Sequence, residues 1–382
     1  MGKTLMLVAG EASGDLHGSE IARYVRAANP DIRCVGMGSN RMRNNGVELL
    51  YDSAGIAVVG LWEVLTHWNE IKRALHKLEQ YIVDNRPDLL LLIDYQEFNL
   101  RLAGFARRHG VKVLFYISPQ LWAWRRGRIK RFVHNVDMMA VIFPFEVDYF
   151  EQAGIPVRYT GHPLSGKVKA TLDKNTARTQ FGLRSDQPVI GLLPGSRRSE
   201  IQRILPILLA SAERLQQRFP EIQFVLPAAG DNLIPRIEDA LKQSKANVKL
   251  CTNQTYNAVN CCDAAIVASG TATLEVALLN VPMAVVYRVA PLSYAILRRM
   301  LSIPYVALAN IVAGREVARE FIQHQAQPER IAAEISELIS NPDYNRRTRE
   351  NLQQVKDNLG ETDGIEGISR LALDMLLAED TL

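Results

Sequence analysis

The sequence predicts an α/β protein made of two Rossmann-like halves, each with a parallel sheet covered by helices. The first observation is that short, unbroken apolar runs recur along the chain, as at residues 89–93 and 189–193. Such runs are typical of parallel strands that are buried on both faces. The second is that helical patterns alternate with these runs, which favours βαβ units. The third is that small, polar turns follow the runs, where open parallel sheets bind ligands. We therefore expect two domains that face a cleft.

Both halves contain a series of strand candidates, and the pattern changes near the end of the chain. In the first half, the candidates are residues 4–9, 32–36, 89–93, 111–117, 137–142 and 157–160. In the second half, strand candidates begin at or include residues 189, 222, 248, 264 and 283. Beyond about residue 328 only helical patterns remain. We predict a first domain over residues 1–165, a second over residues 166–340 and a helical tail over residues 341–382.

The composition is that of an ordinary globular protein and argues against several classes. The chain has 382 residues, a net charge of +4 and 47% hydrophobic residues, so bulk charge gives no reason to expect a nucleic-acid partner. Its four cysteines form no CxxC pair, which fits a reducing cytosol. Its seven histidines lack paired spacing, so we expect no metal site. No apolar run reaches the roughly 18 residues that a membrane span requires.

One stretch of the second half has the pattern of an anion site. A short apolar run leads into the turn Ser269, Gly270 and Thr271, and a helix is predicted from Ala272. Backbone N–H groups at a helix start carry partial positive charge and suit a phosphate. Glu275, one turn into the helix, suits the two hydroxyls of a ribose. The alternative is an ordinary capping threonine followed by a glutamate that favours the helix.

A second loop of the same half has a similar pattern. An apolar run is followed by Gly195, Ser196 and Arg197 and then by a long helical pattern that Ser199 is predicted to cap. Glycine allows the backbone to approach a ligand, and arginine can bind a phosphate through two parallel hydrogen bonds. The alternative is that Arg197 is an ordinary surface arginine. Two such loops in one domain would suit a nucleoside diphosphate, with its phosphates on Arg197 and the loop amides.

The first half opens with a strand and a loop of small residues. The loop spans residues 10–18 and contains Glu11, Ser13, Gly14 and Asp15. Its glycine spacing is similar to a dinucleotide fingerprint, but the two carboxylates would repel a pyrophosphate. We therefore expect this loop to bind a neutral polar group such as a sugar.

Eight motifs, in a fixed order between residues 10 and 316, together resemble the lipid-A-disaccharide synthase family. They lie at residues 10–15, 93–99, 118–124, 143–146, 161–162, 193–197, 268–275 and 310–316. The resemblance implies a GT-B glycosyltransferase that transfers 2,3-diacylglucosamine from UDP to 2,3-diacylglucosamine 1-phosphate with inversion. The products are a β-1,6-linked disaccharide 1-phosphate and UDP, and no cofactor is needed beyond the UDP of the donor. It also implies a C-terminal tail that crosses back to an N-terminal domain and is exchanged within a homodimer.

Inverting transfer requires a base for the acceptor hydroxyl and stabilisation of the departing UDP. Asp94 is the best-placed base of the first half because it ends a central strand, and Glu11 and Asp15 are rivals for this role. Arg197 would neutralise charge that grows on the diphosphate, and Asn310 would be an uncharged donor to the phosphates or sugar. The sequence departs from some relatives at Gln96 and Glu97, where those have proline and aspartate, so we assign no separate catalytic role to Glu97; the departure leaves Asp94 untouched.

Two further segments suggest a lipid surface. The basic segment, which we define as residues 122–131, contains Trp122, Trp124, Arg125, Arg126, Arg128, Lys130 and Arg131. Aromatic and cationic residues together suit an anionic bilayer or the phosphate of the acceptor, although a solvated helix face or nucleic-acid binding is the alternative. The apolar stripe runs along residues 58–78 and includes Leu61 and Leu65, whereas Trp62 lies off the stripe. The stripe would face either lipid or the core. We expect a cytoplasmic protein that is peripheral on the inner membrane.

Two other functions remain open on the sequence alone. A UDP-sugar epimerase of the same two-domain architecture would also use a nucleotide site and carboxylates. It would need no acceptor and no apolar, basic surface. A non-catalytic lipid- or nucleotide-binding adaptor would be indifferent to replacement of Asp94 by asparagine.

The lipid-surface hypothesis predicts two separable components of liposome binding. Salt screens the electrostatic component over about 8 Å near physiological ionic strength, so binding to anionic liposomes should fall in high salt without vanishing. Changing Arg126, Arg128 and Arg131 to serine should remove most of the salt-sensitive part in a sedimentation assay. Changing Leu61 and Leu65 of the apolar stripe, together with Trp62, to serine should release the remainder. Loss of folding in this second variant would instead place the stripe in the core.

Overall fold

The computed structural model describes residues 2–55, 68–119, 129–291, 294 and 303–378. The chain forms two compact units: Met1–Ser165 with Glu361–Leu382, and Gly166–Gly360. Within the described ranges, we find no helix that combines the length and the apolar composition of a membrane span.

The first unit is built on a seven-stranded parallel sheet with the order β3-β2-β1-β4-β5-β6-β7. Its strands are β1 (Thr4–Ala9), β2 (Arg33–Gly38), β3 (Glu48–Asp52), β4 (Leu89–Ile93), β5 (Lys112–Tyr116), β6 (Met138–Val141) and β7 (Val157–Tyr159). The central strand β4 is completely buried, as its unbroken apolar sequence predicts. Its neighbour β1 pairs with it in register, Ala9 opposite Ile93.

Helices cover both faces of this sheet. They are α1 (Ala12–Ala28), α2 (Asn40–Asn44), α3 (Trp68–Asn85), α4 (Gln96–Arg108), α5 (Lys130–Val133), α6 (Glu146–Glu151) and, from the end of the chain, α15 (Gly364–Leu377). Side chains alternate across a strand, so Leu5 and Leu7 of β1 pack with α1 and α15. Met6 and Val8 pack with α3 and α4 on the opposite face.

The second unit is built on a six-stranded parallel sheet with the order β10-β9-β8-β11-β12-β13. Its strands are β8 (Val189–Leu193), β9 (Gln223–Ala228), β10 (Val248–Thr252), β11 (Ala264–Ala268), β12 (Met283–Tyr287) and β13 (Arg319–Ile322). Its helices are α7 (Lys174–Gln180), α8 (Arg198–Arg218), α9 (Ile234–Gln243), α10 (Thr255–Asn260), α11 (Thr271–Leu278), α12 (Leu308–Ala313), α13 (Pro328–Ser340) and α14 (Pro342–Leu359). The adjacent strands β8 and β11 are both fully buried, which brings the turns that follow them side by side.

The predicted loop over residues 10–18 is wrong in extent. Helix α1 already begins at Ala12 and includes most of that segment. The small residues serve close packing, because a Cβ added at Gly14 would lie only 3.1 Å from the Cβ of Ala9. The glycine spacing therefore fits a helix that approaches its own sheet.

The predicted tail over residues 341–382 is also wrong as a single segment. Helix α14 packs on α11, α12 and α13 and belongs to the second unit, whereas α15 packs on α1 in the first unit. The helices separate at Gly360, which adopts φ = 64° and ends α14, as glycine commonly does at a helix C-terminus. Of the predicted tail, only the residues after 360 belong to the first unit.

The docking of α15 makes a prediction about stability. Gly367 lies against the carbonyl oxygen of Thr160, and an added Cβ would collide with that oxygen. Gly367→Ala should therefore reduce the free energy of unfolding in urea by about 1–3 kcal/mol. Asp374→Ala in the same helix is the control, because its ion pair with Arg158 is long and exposed and should contribute less than about 1 kcal/mol. Equal stability of the two variants would contradict the tight contact.

Candidate functional site

The second unit contains a pocket of about 1090 Å³ at the carboxyl ends of β8 and β11. It gathers the predicted nucleotide-binding residues from two loops: Gly195, Ser196, Arg197, Ser269, Gly270, Thr271, Ala272 and Glu275. Because adjacent parallel strands end at the same edge of a sheet, these two loops converge although about 70 residues separate them in the sequence.

The loop after β8 is organised by a carboxylate that sequence reasoning did not single out. The Oε2 atom of Glu200 accepts the N–H groups of Ser196 at 2.8 Å and of Arg197 at 3.1 Å. The prediction that Ser199 caps α8 is wrong, because Arg197 occupies the N-cap position and Glu200 reaches back to its backbone. Gly195 adopts φ = 109°, and any side chain there would collide with Glu200. The signal was the acidic residue three positions after the N-cap, which is typical of capping boxes.

The loop after β11 is constructed differently. Helix α11 begins at Thr271 with Gly270 as its N-cap, and no side chain caps it. The first turn carries no acidic residue, so the partial positive charge of this helix start is not matched by a carboxylate of its own. The hydroxyl of Ser269 donates to the carbonyl of Val306 at 2.8 Å and fixes the preceding turn.

Glu275 lies on α11, where Tyr256 of α10 holds it. The phenol of Tyr256 donates to Oε1 of Glu275 at 3.1 Å. Burial raises the pKa of Glu275 above its usual value, and the hydrogen bond from Tyr256 acts in the opposite direction. Burial raises the pKa of Tyr256 to about 12, so this phenol stays protonated and remains a donor near neutral pH.

Sequence reasoning missed the side of the pocket formed by the segment after β10. The missed lining residues include Gln254, Thr255, Tyr256 and Asn257 of this segment, together with Lys169 and Thr171 from the part of the chain before α7. The side chain of Asn257 accepts the backbone N–H groups of Thr171 at 2.8 Å and of Leu172 at 3.1 Å, and so fixes residues 171–172. The available signal was the polar run that follows the strand predicted at residue 248.

The structure does not bring Asn310 to a ligand. The residue is fully buried. Its amide donates to Ala318 at 2.7 Å and to Glu320 at 2.8 Å, and its oxygen accepts the N–H groups of Val317 and Ala318. Both amide hydrogens and the oxygen of the Asn310 side chain thus form hydrogen bonds within the protein. The prediction that this side chain donates to the phosphates or the sugar is therefore wrong. Asn310 instead stabilises the connection between α12 and β13.

In the first unit, Asp94 occupies a sharp turn at the carboxyl end of β4. Asp94 and the following Tyr95 adopt φ values of 48° and 46°, a left-handed conformation that is costly for residues other than glycine. The amide of Asn99 donates to the carbonyl of Ile93 at 3.2 Å and to that of Asp94 at 2.6 Å. Asn99, which sequence reasoning gave no role, therefore holds the turn that presents Asp94.

The electrostatics of Asp94 depend on burial and on one neighbour. Ala9 pairs with Ile93, so Glu11 and Asp94 follow adjacent strands at the same edge of the sheet. Burial raises the pKa of Asp94 above its usual value, and the negative charge of Glu11 raises it further. A carboxyl group whose pKa is raised in this way becomes a stronger base when it is ionised.

Asp15 has a structural role that rules it out as a rival base. It is buried, and its carboxylate accepts the backbone N–H groups of Ser39 at 2.6 Å and of Arg41 and Met42 at 3.2 Å each. From its position on α1, the carboxylate of Asp15 therefore pairs the backbone N–H groups at the start of α2. Ser13, two residues earlier on α1, is exposed.

Most of the predicted lipid-facing residues lie outside the described ranges. These are Leu61, Trp62, Leu65, Trp122, Trp124, Arg125, Arg126 and Arg128. Of the basic segment, Lys130 and Arg131 are described and exposed on α5. In the described part of the apolar stripe, Leu75 and Leu78 are core residues, whereas Trp68 is 47% exposed.

Within the described ranges there is also no cluster of three histidine, cysteine or acidic side chains that could hold a metal ion.

The fold and the pocket define a class of protein. Two solved structures are similar over nearly their full length: a UDP-GlcNAc 2-epimerase from Neisseria meningitidis bound to UDP-GlcNAc, and the glycotransferase of kitacinnamycin. The epimerase has a TM-score of 0.62 at 16% identity and covers 97% of this chain and 100% of its own. The glycotransferase has a TM-score of 0.64 at 16% identity and covers 98% of this chain and 99% of its own. The chain therefore has the GT-B fold, with two Rossmann-like domains and a helical C-terminal region.

Sequence comparisons give the family. The model of the family described as lipid-A-disaccharide synthetase matches residues 5–365. The lipid-A-disaccharide synthase of Geobacter sulfurreducens is 48% identical over 97% of both chains, and that of Trichlorobacter lovleyi is 46% identical over 98% of both. The chain belongs to the lipid-A-disaccharide synthase family of glycosyltransferases, and the resemblance stated from its motifs is confirmed.

The pKa shift of Asp94 predicts how activity should depend on pH. The sequence-based expectation that Asp94 is the base predicts that activity is lost as the pH falls through the raised pKa of Asp94, because a base must be ionised. Glu11→Gln removes the neighbouring negative charge and should lower that pKa. The acid limb of kcat/KM, measured on the residual activity, should then move to lower pH.

Glu97→Gln is the matched control for this experiment, because Glu97 lies on the exposed first turn of α4. Its acid limb should coincide with that of the unmodified protein. An unchanged limb in Glu11→Gln, or a shift to higher pH, would contradict the electrostatic coupling of Glu11 and Asp94.

Proposed function

We propose that this protein transfers 2,3-diacylglucosamine from UDP to 2,3-diacylglucosamine 1-phosphate with inversion, giving the β-1,6-linked disaccharide 1-phosphate and UDP. The observation that carries the proposal is the pocket of the second unit, in a chain of this glycosyltransferase family. It combines Arg197, an uncapped helix start at Thr271 and the half-buried carboxylate of Glu275. These are the groups that a diphosphate and a ribose require.

In the proposed reaction, the donor nucleotide occupies the pocket of the second unit. The two hydroxyls of its ribose donate to the carboxylate of Glu275, which Tyr256 holds in place. The diphosphate accepts from the guanidinium of Arg197 and from the amides at the start of α11. As UDP departs, charge grows on its β-phosphate, and these donors stabilise it without needing to reorganise.

The base comes from the first unit. Asp94 removes the proton from the 6-hydroxyl of the acceptor, and this oxygen forms a bond to C1 of the donor sugar. The bond from C1 to the diphosphate oxygen breaks in the same displacement, and UDP leaves with the bonding electrons. Attack from the face opposite UDP inverts the configuration at C1. Glu11 supports this role because its charge raises the pKa of Asp94, and general-base catalysis typically contributes about 10²–10⁴-fold.

The proposal also covers metal ions, the membrane and the oligomeric state. Arg197 and the start of α11 provide positive charge for the leaving group, so the proposed reaction uses no divalent metal and no cofactor. The acyl chains of both sugars would be drawn from the cytoplasmic face of the inner membrane by Leu61, Trp62 and Leu65 together with the basic segment. A homodimer that exchanges its C-terminal helices is compatible with α15, because Gly364–Leu377 is a separate element beyond Gly360.

Incubation with UDP-2,3-diacylglucosamine, with and without the monosaccharide 1-phosphate, tests the proposed function. Mass spectrometry should detect UDP and the disaccharide 1-phosphate only when the acceptor is present, and EDTA should not reduce the rate. Conversion of the donor without acceptor would favour an epimerase, and donor binding without any conversion would favour an adaptor. Loss of activity in EDTA with recovery in magnesium would contradict the metal-independent reaction.

Replacement of Asp94 by asparagine should separate chemistry from nucleotide binding. Asp94→Asn should reduce kcat by about 10²–10⁴-fold, whereas the affinity for UDP measured by calorimetry should stay unchanged because the pocket lies in the other unit. Asp148→Asn, at an exposed position of the first unit, should keep normal turnover. Near-normal turnover of Asp94→Asn would remove this residue from the mechanism.

Two variants test the placement of the nucleotide. Arg197→Ala and Glu275→Ala should each cost about 1.5–3 kcal/mol of UDP binding, since each removes one partner of a charge-assisted hydrogen bond. Arg198→Ala is the matched control because Arg198 is a neighbouring exposed cation that does not line the pocket. Unchanged affinity in both test variants would contradict the placement, and an equal loss in Arg198→Ala would point to a non-specific effect of charge.

A further inference from the structure

The two helix starts that meet in the pocket differ in one respect. At the start of α8, the carboxylate of Glu200 already accepts two backbone N–H groups, those of Ser196 and Arg197. At the start of α11, no side chain caps the helix and the first turn has no acidic residue. At the start of α8, the charge of Glu200 therefore offsets the partial positive charge of the helix. The start of α11 keeps its partial positive charge for an anionic ligand.

The position of Glu200 is enforced by the backbone around it. Gly195 adopts φ = 109°, and a Cβ built at Gly195 would lie 2.8 Å from the Cβ of Glu200 and would collide with its carboxylate. The loop thus lies against both the Cβ and the carboxylate of Glu200. Displacement of this carboxylate by a ligand would break two hydrogen bonds to a charged group and leave a gap beneath the loop.

Glu200 also contacts the side chain of Arg197, to which the proposed reaction assigns the phosphates. Its Oε1 atom lies 3.6 Å from Nη1 of Arg197, whose side chain is 74% exposed. The same carboxylate therefore holds the backbone of residue 197 through one oxygen and attracts its guanidinium through the other. An exposed arginine has many rotamers, and a fixed partner reduces the entropy lost when it binds a ligand.

We propose that Glu200 is a positioning residue for the diphosphate: it retains the amides of Ser196 and Arg197 when nucleotide binds and aims the Arg197 guanidinium at the phosphates. The diphosphate then takes its backbone donors from α11 alone. This deepens the proposed function and rests on it. It also revises the sequence-based expectation that the amides of both loops contact the phosphates.

Two substitutions separate the roles of Glu200. Glu200→Ala removes both the cap and the partner of Arg197, whereas Glu200→Gln keeps a side-chain oxygen that can accept both N–H groups. Calorimetry should show that Glu200→Ala weakens UDP binding about tenfold or more and that Glu200→Gln recovers most of the affinity. Uridine, which has no phosphates, should bind all forms equally in ligand-observed NMR. In an Arg197→Ala background, Glu200→Ala should have little further effect on UDP binding.

Several outcomes would overturn the proposal. Tighter UDP binding by Glu200→Ala would show that Glu200 competes with the phosphate for the amides. Equal losses for UDP and uridine would show a merely structural role, and fully additive losses with Arg197→Ala would show that Glu200 does not act through Arg197. Failure of the proposed function gives a different result, because the unmodified protein would then form no disaccharide 1-phosphate from donor and acceptor, whatever the effect of Glu200 on UDP binding.

Discussion

Parallel strands that are buried on both faces constrain everything else in this structure. Their backbone groups must be paired within the sheet, so the chain can present polar groups only where the strands end. In the first unit, β1 and β4 end beside each other and deliver Glu11 and Asp94. In the second, β8 and β11 end beside each other and deliver the two loops of the pocket. Each pair of candidate site residues is adjacent because its strands are adjacent.

The carboxylates of these loops divide according to what surrounds them. Asp15 and Glu200 accept two or three backbone N–H groups each and fix the starts of helices. Asp94 and Glu275 instead have pKa values raised by burial. A carboxylate saturated with amides is a structural element, whereas a desolvated one can respond to a ligand or a proton. This distinction assigns Asp15 and Asp94 to different roles although both follow strands of one sheet.

The central strands were predictable from the sequence because burial on both faces leaves an unbroken apolar run. The predicted residues 4–9, 89–93, 189–193 and 264–268 match the observed strands. The edge strands β3 and β13 were missed, because each is half exposed and carries charged residues such as Glu48 and Arg319. The prediction of the fold class rested on the alternation of strands with helices and on the central strands, so it did not require the two missed edge strands.

The candidate site was only partly predictable, for a physical reason. Loop positions such as Gly195 and Ser269 follow directly from the strands, so the sequence locates them. The partners of a polar side chain depend on which distant backbone groups fold against it. The amides that occupy Asn310 lie seven or eight residues away, and Tyr256 reaches Glu275 from another helix. Such partners have no periodic signature in the sequence.

Hydrogen–deuterium exchange with and without UDP tests most directly the claim that the nucleotide binds between the loops after β8 and β11. We expect UDP to slow exchange most strongly at residues 269–273 and at residues 253–256. Residues 196–197, whose amides Glu200 already holds, should change less, and residues 10–15 of the first unit should not change. Protection confined to residues 10–15, with none in the second unit, would contradict the account.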